Sequence, residues 1–368
     1  MKVLQIGPYP PPHGGVSVHV YQVQRQLFQS GIACRVLNVD PRAPRSGEYI
    51  SIRGAAGLFL ALLRHARKGW TLHVQTNGHN HKSWLVAFTP GVAGLAGPGS
   101  LLTLHSGMVP EYLRREKTGS RLARLACSLF DRIIAVAPEI KEAVRLLDVP
   151  ATKIDLLPAF LYGPPSMEEI PELQRLKGRK PLLGATLSFR PEYGFDLLVD
   201  AICQLRRRHP GIACLIMGGG EGQAMAQRLV REQGLSNHIV LLGNVEHDKC
   251  LSIMSRCDLF VRPTLVDGDA NSVREALALE IPVVASDVGN RPAGAILFRT
   301  GDADDLAVKL SDTIAETCFI SMVPRKPSCP PTSSGQIRNL IDIYASIEKQ
   351  PSPVARPIRV LRSEQWGN

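Results

Sequence analysis

The sequence reads Asp258-Leu-Phe-Val-Arg-Pro-Thr-Leu-Val-Asp267-Gly-Asp-Ala-Asn-Ser-Val-Arg-Glu275 and resumes, after Ala276-Leu-Ala-Leu, with Glu280-Ile-Pro-Val-Val-Ala-Ser-Asp-Val-Gly289. The apolar run at 259–261 predicts a buried strand, the polar residues after it a loop, and residues 272–279 a helix. The apolar run at 283–285 predicts a second strand. A strand, a helix and a strand in this order form a βαβ unit, the building block of a parallel sheet covered by helices.

The same alternation extends through most of the chain. In the first half we predict strands at 3–6, 33–39, 72–75, 101–104 and 132–136, and helices at 17–29, 55–67 and 111–130. In the second half we predict further strands at 181–186, 213–217 and 239–242, and helices at 195–208, 222–233 and 247–256. The expected fold is therefore α/β, with two Rossmann-like doubly wound domains facing each other across a cleft, where such sheets bind ligands.

A length of 368 residues suits two domains. The predicted boundaries are an N-terminal domain at 1–160, a proline-rich linker at 161–178 and a C-terminal domain at 179–320. Residues 321–368 are expected to hold a proline-rich loop, a helix at 335–347 and a loose terminus.

The net charge of +10 is confined to residues 1–160, which hold 19 Lys and Arg against 9 Asp and Glu. This asymmetry favours an anionic partner such as a phosphate or a membrane surface, although a solvated basic face would look the same. Aromatic residues make up only 5%, and no nucleic-acid-binding motif is present, so nucleic acid is not an expected partner.

Cysteine spacing and the first residues bear on metal content and localisation. The eight cysteines include no Cys-x-x-Cys pair, so no metal is expected. Residues 2–6 read as a strand and not as a signal peptide, and the apolar tract at 84–104 is broken by Pro90 and Pro98. We expect a cytoplasmic protein, peripheral at most to the inner face of the plasma membrane.

Three places carry residues suited to chemistry. Gly14 and Gly15 end a loop between a strand and a helix, where backbone amides can hold an anion, although a proline-stiffened turn is the alternative. His105 follows a buried strand and could contact a sugar, although most lone histidines are structural. Asp267 and Glu275 flank a helix start, whose loop amides suit a diphosphate, although acids there are often caps.

The ordered string from Asp258 to Gly289 resembles the motif of family 4 retaining glycosyltransferases of the GT-B fold. The family's two acids lie eight residues apart, and its following Ala-Met-Ala-x-Gly-x-Pro-Val-Val-Ala-Ser is matched by residues 276–286. Residues 8–19, 182–220 and 243–245 resemble other family segments in the same order, so the match covers about residues 1–315.

The resemblance implies a role for each matching position. It implies that Glu275 binds the ribose of a sugar nucleotide, that Asp267 lies near the transferred sugar, and that His105 lies beside that sugar. It also implies donor contacts from the backbone amides of Gly14, Gly15, Gly268, Asp269, Ala270 and Asn271, from the glycine-rich turn at Gly219, and from Asn244 and Val245 at the nucleobase.

Two departures from the family pattern matter. The first acid is Asp267 instead of glutamate, and the family's Arg and Lys on the diphosphate are replaced by Ser188 and Tyr193. Arg190 lies in the same loop and is the expected substitute, since a guanidinium can grip phosphate through two hydrogen bonds, with a plain surface charge as the alternative. Arg262 and Arg274 are the reserve candidates.

The resemblance implies transfer with retention from a nucleoside-diphospho-sugar, UDP favoured over GDP, to a hydroxyl acceptor. It also implies that residues 1–160 bind the acceptor and residues 179–320 the sugar nucleotide. We expect a glycan or lipid-linked acceptor in bacterial-type polysaccharide synthesis, since the helix predicted at 111–130 in the acceptor-binding half is basic and amphipathic. Its cations are Arg114, Arg115, Lys117, Arg121 and Arg124. A sugar-nucleotide epimerase, an inactive sugar-nucleotide binder and a nucleic-acid-binding protein are the alternatives.

Overall fold

The computed structural model describes residues 1–11, 14–40, 43–52, 54–159, 171–174, 176, 178–320 and 334–348. Two parallel sheets covered by helices form an N-lobe and a C-lobe. The N-lobe strands are β1 (Lys2–Gly7), β2 (Ala33–Asn38), β3 (Ile50–Ser51), β4 (Thr71–Thr76), β5 (Ser100–Leu104), β6 (Arg132–Ala135) and β7 (Ile154–Leu156). Its helices are α1 (Gly15–Gln29), α2 (Ala55–Arg67), α3 (His81–Gly94), α4 (Val109–Arg115), α5 (Lys117–Ser128) and α6 (Pro138–Arg145).

The C-lobe repeats the plan. Its strands are β8 (Leu182–Thr186), β9 (Ala213–Met217), β10 (Ile239–Gly243), β11 (Leu259–Arg262), β12 (Val283–Ser286) and β13 (Ala295–Phe298). The remaining helices are α7 (Pro171–Gln174), α8 (Phe195–Leu205), α9 (Gln223–Glu232), α10 (His247–Met254), α11 (Asn271–Ala278), α12 (Ala303–Ile320) and α13 (Ser334–Glu348).

The strand order of each sheet is that of a doubly wound fold. It is β3-β2-β1-β4-β5-β6-β7 in the N-lobe and β10-β9-β8-β11-β12-β13 in the C-lobe. In both sheets the order reverses beside the first strand of the lobe, and ligands of such sheets bind outside the carboxyl ends of the strands at that point. The predicted α/β fold with two Rossmann-like halves is confirmed.

Burial explains why these segments form central strands. Every residue of β4 and β5 is buried, because helices cover both faces of the sheet. Leu4, Val74 and Leu102 on adjacent strands are fully buried in one cluster with Trp84 of α3. The polar members of these strands must therefore find partners inside the protein, since an unpaired buried polar group is costly.

The prediction of one basic helix at 111–130 is wrong. The chain leaves helical geometry at Glu116, with φ −102° and ψ 89°, and continues as the separate helix α5. The two helices pack closely, since residue 119 is a glycine and a Cβ there would clash with the side chain of Tyr112. The cations predicted on one helix are thus divided between α4 and α5.

Helix α13 packs on the N-lobe, although it follows the C-lobe in sequence. Its Ile337, Leu340 and Ile347 are buried against Val3 and Leu101 of the N-lobe sheet. Tyr344 is fully buried, and its hydroxyl lies 2.6 Å from Nδ1 of His73 on β4. The sequence predicted this helix but not its position.

Some elements of the structure were not predicted, and some predictions concern residues outside the described ranges. The strands β3, β7 and β13 and the helices α6 and α12 had no predicted counterpart. Most of the expected linker, the proline-rich loop and the tail after residue 350 lie outside the described residues. The six described cysteines are free thiols. No helix in the described part of the chain is long and apolar enough to cross a membrane.

Candidate active site

The loops after β5 and β11 bring the two lobes into backbone contact. A Cβ at Gly107 would clash with the carbonyl oxygen of Asp267, and a Cβ at Gly268 would lie 2.6 Å from the carbonyl oxygen of His105. Both glycines therefore permit an approach that any side chain would prevent. As a result, the sequence-predicted residues His105 and Asp267 lie on loops that touch across the cleft.

Asp267 is held by two arginines. Its Oδ2 accepts from Arg262 Nε at 3.1 Å, from Arg291 Nη1 at 3.0 Å and from the Thr264 hydroxyl at 3.1 Å. Its Oδ1 accepts from the Gly268 amide at 3.1 Å. Both carboxylate oxygens are thus engaged, and a sugar hydroxyl would have to share one of them.

The charges around Asp267 favour its ionised form. Burial opposes ionisation, but Arg262 and Arg291 outweigh it and hold the pKa of the carboxyl below its usual value. The Arg291 side chain is only 4% exposed. Arg291 was not predicted from the sequence, where its only signal is a cation just after Gly289 in a loop that follows a buried strand.

Helix α11 starts at the carboxyl end of β11, with Asn271 as its first residue. Asn271 Oδ1 is buried and has no hydrogen-bond partner among the described residues. Asp269 accepts from Arg274 Nε at 2.7 Å, while burial raises the pKa of Asp269 to about 6 although Arg274 opposes the shift. Arg274 is therefore committed to Asp269. Backbone amides at a helix start can hold an anion.

Glu275 lies one turn along α11 and is buried. Its Oε1 lies 2.7 Å from Nε2 of His247, and Nδ1 of His247 lies 3.1 Å from the side-chain amide of Gln22 on α1. Burial lowers the pKa of His247, but Glu275 outweighs this effect and raises the pKa above its usual value. Glu275 is thus linked to the N-lobe through His247, a residue that the sequence did not reveal.

His105 lies at the end of β5 and is half-buried. Its Nε2 lies 2.7 Å from Oε1 of Gln75 on β4, and its ring packs edge-on to His19 with centroids 5.0 Å apart. Burial lowers the pKa of His105 well below its usual value, and the neighbouring His19 and His73 lower it further. His105 is therefore neutral at pH 7.

The other predicted donor positions line two more loops. Gly14 and Gly15 are exposed at the start of α1, where the Gly14 amide donates to the Ser17 hydroxyl at 2.9 Å. Gly219 is buried, and a Cβ there would lie 3.1 Å from the Asn244 side chain. Val245 follows Asn244 and precedes α10. The turn after β9 and the loop after β10 are therefore in contact.

Arg190 and Arg262 differ in their surroundings. The Arg190 side chain is 69% exposed, and its Nη1 lies 3.9 Å from Glu192 Oε1. The Arg262 guanidinium lies 5.3 Å from the ring centroid of Tyr193, and its Nη1 donates to the Thr186 carbonyl at 2.8 Å. A buried cation thus lies against the tyrosine that stands at the family's lysine position.

No group of three or more His, Cys, Asp or Glu side chains within the described ranges is arranged to hold a metal ion.

Two family models match the chain in consecutive halves. The model for glycosyltransferase family 4 matches residues 13–160, and the model for glycosyl transferases group 1 matches residues 166–313. The boundary between the matches falls between the N-lobe and C-lobe sheets.

Similar proteins are found among both characterised relatives and solved structures. A 2-deoxystreptamine glucosyltransferase from Streptomyces kanamyceticus is 24% identical, and the alignment covers 95% of this chain and 93% of the relative. A GDP-mannose-dependent phosphatidylinositol monomannoside mannosyltransferase from Mycobacterium tuberculosis is 29% identical over 45% of this chain and 47% of the relative. The crystal structure of Anabaena Alr3699/HepE with UDP-glucose covers 94% of this chain and 100% of its own at a TM-score of 0.68 and 15% identity. Together with the two-lobed fold, these findings show that the chain belongs to the group 1 glycosyltransferases of family 4, with the GT-B fold.

Proposed function

We propose that the chain transfers a sugar from a nucleoside-diphospho-sugar to a hydroxyl acceptor with retention of configuration. The observation that carries the proposal is the contact between the His105 loop and the Asp267–Gly268 loop, which precedes the start of α11. A donor bound with its diphosphate at that helix start would have its sugar close to the lobe that carries His105.

The proposed donor contacts are as follows. Glu275 accepts the ribose hydroxyls, and the amides of Gly268, Asp269, Ala270 and Asn271, with those of Gly14 and Gly15, hold the diphosphate. In this structure the Gly14 and Gly268 amides donate to Ser17 and Asp267, so each would exchange that partner for a phosphate oxygen. Gly219, Asn244 and Val245 lie against the nucleobase. The buried, unpartnered Oδ1 of Asn271 supports a polar ligand at the helix start.

The reaction needs no side-chain base. The acceptor oxygen attacks the anomeric carbon from the face of the leaving group, the bond to the diphosphate oxygen breaks, and the acceptor proton passes to the departing phosphate. Catalysis then rests on positioning and on stabilising the charge of the diphosphate. Arg262, Arg190 and the amides at the start of α11 are the groups proposed to stabilise it.

UDP is the proposed nucleotide, with GDP as the alternative. Support for UDP comes from the HepE complex with UDP-glucose, whereas the mycobacterial relative is GDP-mannose-dependent. A thermal-shift panel of nucleoside diphosphates tests this, because a ligand that binds only the folded state raises its Tm. We expect UDP to raise the Tm more than GDP does, and transfer to give the retained anomer. If no nucleoside diphosphate and no nucleoside-diphospho-sugar raised the Tm, the proposed donor site would be refuted.

Arg190→Ala is expected to lower kcat/KM about tenfold, because a charge-assisted contact to the diphosphate is lost. Arg190 is largely exposed, so its removal leaves the fold unchanged. Arg231→Ala removes an exposed arginine of the same lobe and is the matched control. Steady-state kinetics measure the effect. Equal kcat/KM values for Arg190→Ala and the native protein would mean that Arg190 does not stabilise the diphosphate, which leaves Arg262 as the proposed side chain.

A lipid-linked or glycan acceptor at an anionic membrane surface is the proposed second substrate. Arg114, Arg115, Lys117 and Arg121 are exposed on α4 and α5, and Leu125 is 52% exposed beside them. Basic side chains with an exposed leucine suit the surface of an anionic bilayer. The mycobacterial relative, named for a phosphatidylinositol substrate, agrees with this assignment.

The double variant Lys117→Glu with Arg121→Glu is expected to lower binding to phosphatidylserine vesicles at low salt at least tenfold. Each cation near an anionic surface contributes about 1 kcal/mol, and reversal adds repulsion. Sedimentation with vesicles measures the effect. Arg207→Glu with Arg208→Glu makes the same charge change on the C-lobe and should bind as the native protein does. If the native protein does not sediment with the vesicles, the membrane proposal fails.

An inactive sugar-nucleotide binder is the second candidate function, favoured by Ser188 and Tyr193 in place of the family's two cations. A sugar-nucleotide epimerase, which would share the two-lobed layout, is the other alternative. An epimerase would convert the donor when no acceptor is present. A binder would show the Tm shift with UDP but neither transfer nor slow hydrolysis of the donor. Product analysis with and without acceptor separates the three activities.

A further inference from the structure

A layer of buried polar side chains lies behind His105. Gln5 on β1 is fully buried, as is His73 on β4, and Gln75 is 3% exposed. Amides at the centre of a sheet are costly unless they are paired, so their orientation is set by their partners. Among the hydrogen bonds of the described residues, the one between Gln75 and His105 joins this layer to the cleft.

The amides form one chain of hydrogen bonds that begins at a backbone carbonyl. Gln5 Nε2 donates to the carbonyl oxygen of Val20 at 3.1 Å. Gln75 Nε2 donates to Gln5 Oε1 at 3.3 Å and also lies 3.2 Å from Nε2 of His73. Gln75 Oε1 then lies 2.7 Å from Nε2 of His105.

The first member of the chain fixes the orientation of all the others. A carbonyl oxygen can only accept, so the end of the Gln5 amide beside Val20 must be the NH₂ group, and the end beside Gln75 must be the oxygen. Gln75 must therefore turn its own NH₂ group toward Gln5 and its oxygen toward His105. An oxygen in that place can bond only to a protonated ring nitrogen.

We infer that Gln75, oriented by Gln5, holds His105 in the neutral tautomer protonated at Nε2, which leaves Nδ1 as a hydrogen-bond acceptor. None of the hydrogen bonds found in the described parts of the chain uses Nδ1 of His105. Gln75 and Gln5 are then positioning residues that act through His105. The low pKa of His105 agrees with a neutral ring at pH 7.

The consequence for transfer rests on the proposed function. An acceptor at Nδ1 can receive the hydrogen of a sugar hydroxyl, whereas the opposite tautomer would present an N–H group that can only donate. A site built to accept from a hydroxyl discriminates strongly against a sugar that lacks it. The amide chain therefore selects for a hydroxyl-bearing group at this point of the donor sugar.

The tautomer can be read directly by nitrogen NMR on the full chain labelled with ¹⁵N-histidine, with His105 assigned from the resonances lost in His105→Asn. We expect a protonated, pyrrole-like Nε2 and an unprotonated, pyridine-like Nδ1. Gln75→Met should abolish this preference, and Gln75→Glu, which keeps an oxygen at the same place, should preserve the proton on Nε2. A native spectrum with the proton on Nδ1, or a Gln75→Met spectrum identical to the native one, would overturn the inference.

Two further variants guard against a general loss of structure. Gln5→Met removes the orienting amide without touching His105 and should also mix the tautomers. Thr71→Val removes a fully buried hydroxyl on the same strand as Gln75, one that has no hydrogen-bond partner among the described residues, and should leave the His105 tautomer as it is. If Thr71→Val mixed the tautomers as much as Gln5→Met, any buried substitution would suffice and the specific chain would be refuted.

Kinetics separate this inference from the proposed function. Gln75→Met should lower kcat about tenfold while the Kd for UDP stays unchanged, because UDP carries no sugar for His105 to contact, and Gln75→Glu should recover part of kcat. If the spectra show the expected tautomer but Gln75→Met leaves kcat unchanged, the role of the amide chain in transfer is refuted and the tautomer assignment stands. Failure of the native protein to bind UDP at all would refute the proposed function and leave the NMR result standing.

Discussion

Asp267→Asn is expected to lower the free energy of unfolding by about 3–5 kcal/mol, the usual cost of removing one partner from a buried ion pair. The substitution leaves Arg262 and Arg291, whose side chains are 11% and 4% exposed, facing each other without their shared carboxylate. Both guanidinium groups would remain charged, since arginine does not lose its proton in proteins. Urea unfolding followed by circular dichroism measures the change.

Two controls test the origin of that loss. Glu142→Gln breaks an exposed ion pair with Arg145 and should leave the stability almost unchanged. Adding Arg291→Met to Asp267→Asn removes one of the two stranded cations and should restore part of the stability. A double variant no more stable than Asp267→Asn would mean that the loss comes from loop packing and not from charge.

The pH dependence of stability gives an independent check. The pKa of Asp267 is lower in the folded protein than in the unfolded chain, so its contribution is present above the unfolded value of about 4. That contribution is lost as the pH falls through the folded pKa. The difference in stability between the native protein and Asp267→Asn should therefore shrink below about pH 4.

Glu275→Gln is expected to raise the Kd for UDP about 10- to 100-fold. If Glu275 accepts both ribose hydroxyls, the change replaces charge-assisted hydrogen bonds, each contributing about 1.5–3 kcal/mol, with neutral ones. Glutamine keeps the size of the side chain and an oxygen for His247, and the imidazole, unlike the arginines beside Asp267, can lose its proton, so the fold is preserved. Isothermal titration calorimetry measures the affinity.

A modified ligand shows whether the ribose is the partner. 2′-Deoxy-UDP should bind the native protein more weakly than UDP, but should bind Glu275→Gln nearly as well as UDP does, because the two changes remove the same contact. Glu232→Gln, an exposed acid of the same lobe, should bind both ligands as the native protein does. If the loss of affinity caused by Glu275→Gln and the loss caused by removing the 2′-hydroxyl were additive, the ribose would not be bound by Glu275.

The sequence predicted the sheets better than it predicted the site. The apolar runs that became β5 and β9 differ from the observed strands by at most one residue, because strands buried on both faces leave a continuous hydrophobic signal. The edge strands β3 and β7 have two and three residues, too few for any periodic signal. The break at Glu116 falls within a stretch whose basic and apolar residues keep the pattern of one helix, so no local signal in the sequence marks it.

The site residues divide in the same way. Glu275 and the helix start at Asn271 could be located because a strand, a loop and a helix follow one another along the chain. Arg291 and His247 could not, since each acts through a contact with a residue 24 or more positions away. Gln75 has no distinguishing sequence signal within its strand. Its orientation depends on hydrogen bonds that lead through Gln5 to the carbonyl of Val20 on helix α1.

The position of helix α13 has a consequence for the way enzymes of this architecture can exchange parts. Residues 1–160 lack the segment that covers Val3 and Leu101, so a hybrid joined near residue 160 to the C-terminal part of another enzyme would receive a foreign helix at this place. The burial of a tyrosine at position 344 and its hydrogen bond to His73 would then depend on the enzyme that supplied the C-terminal part. Recombination that keeps the N-lobe intact therefore needs two crossover points, with residues 334–348 inherited from the same parent as the first half.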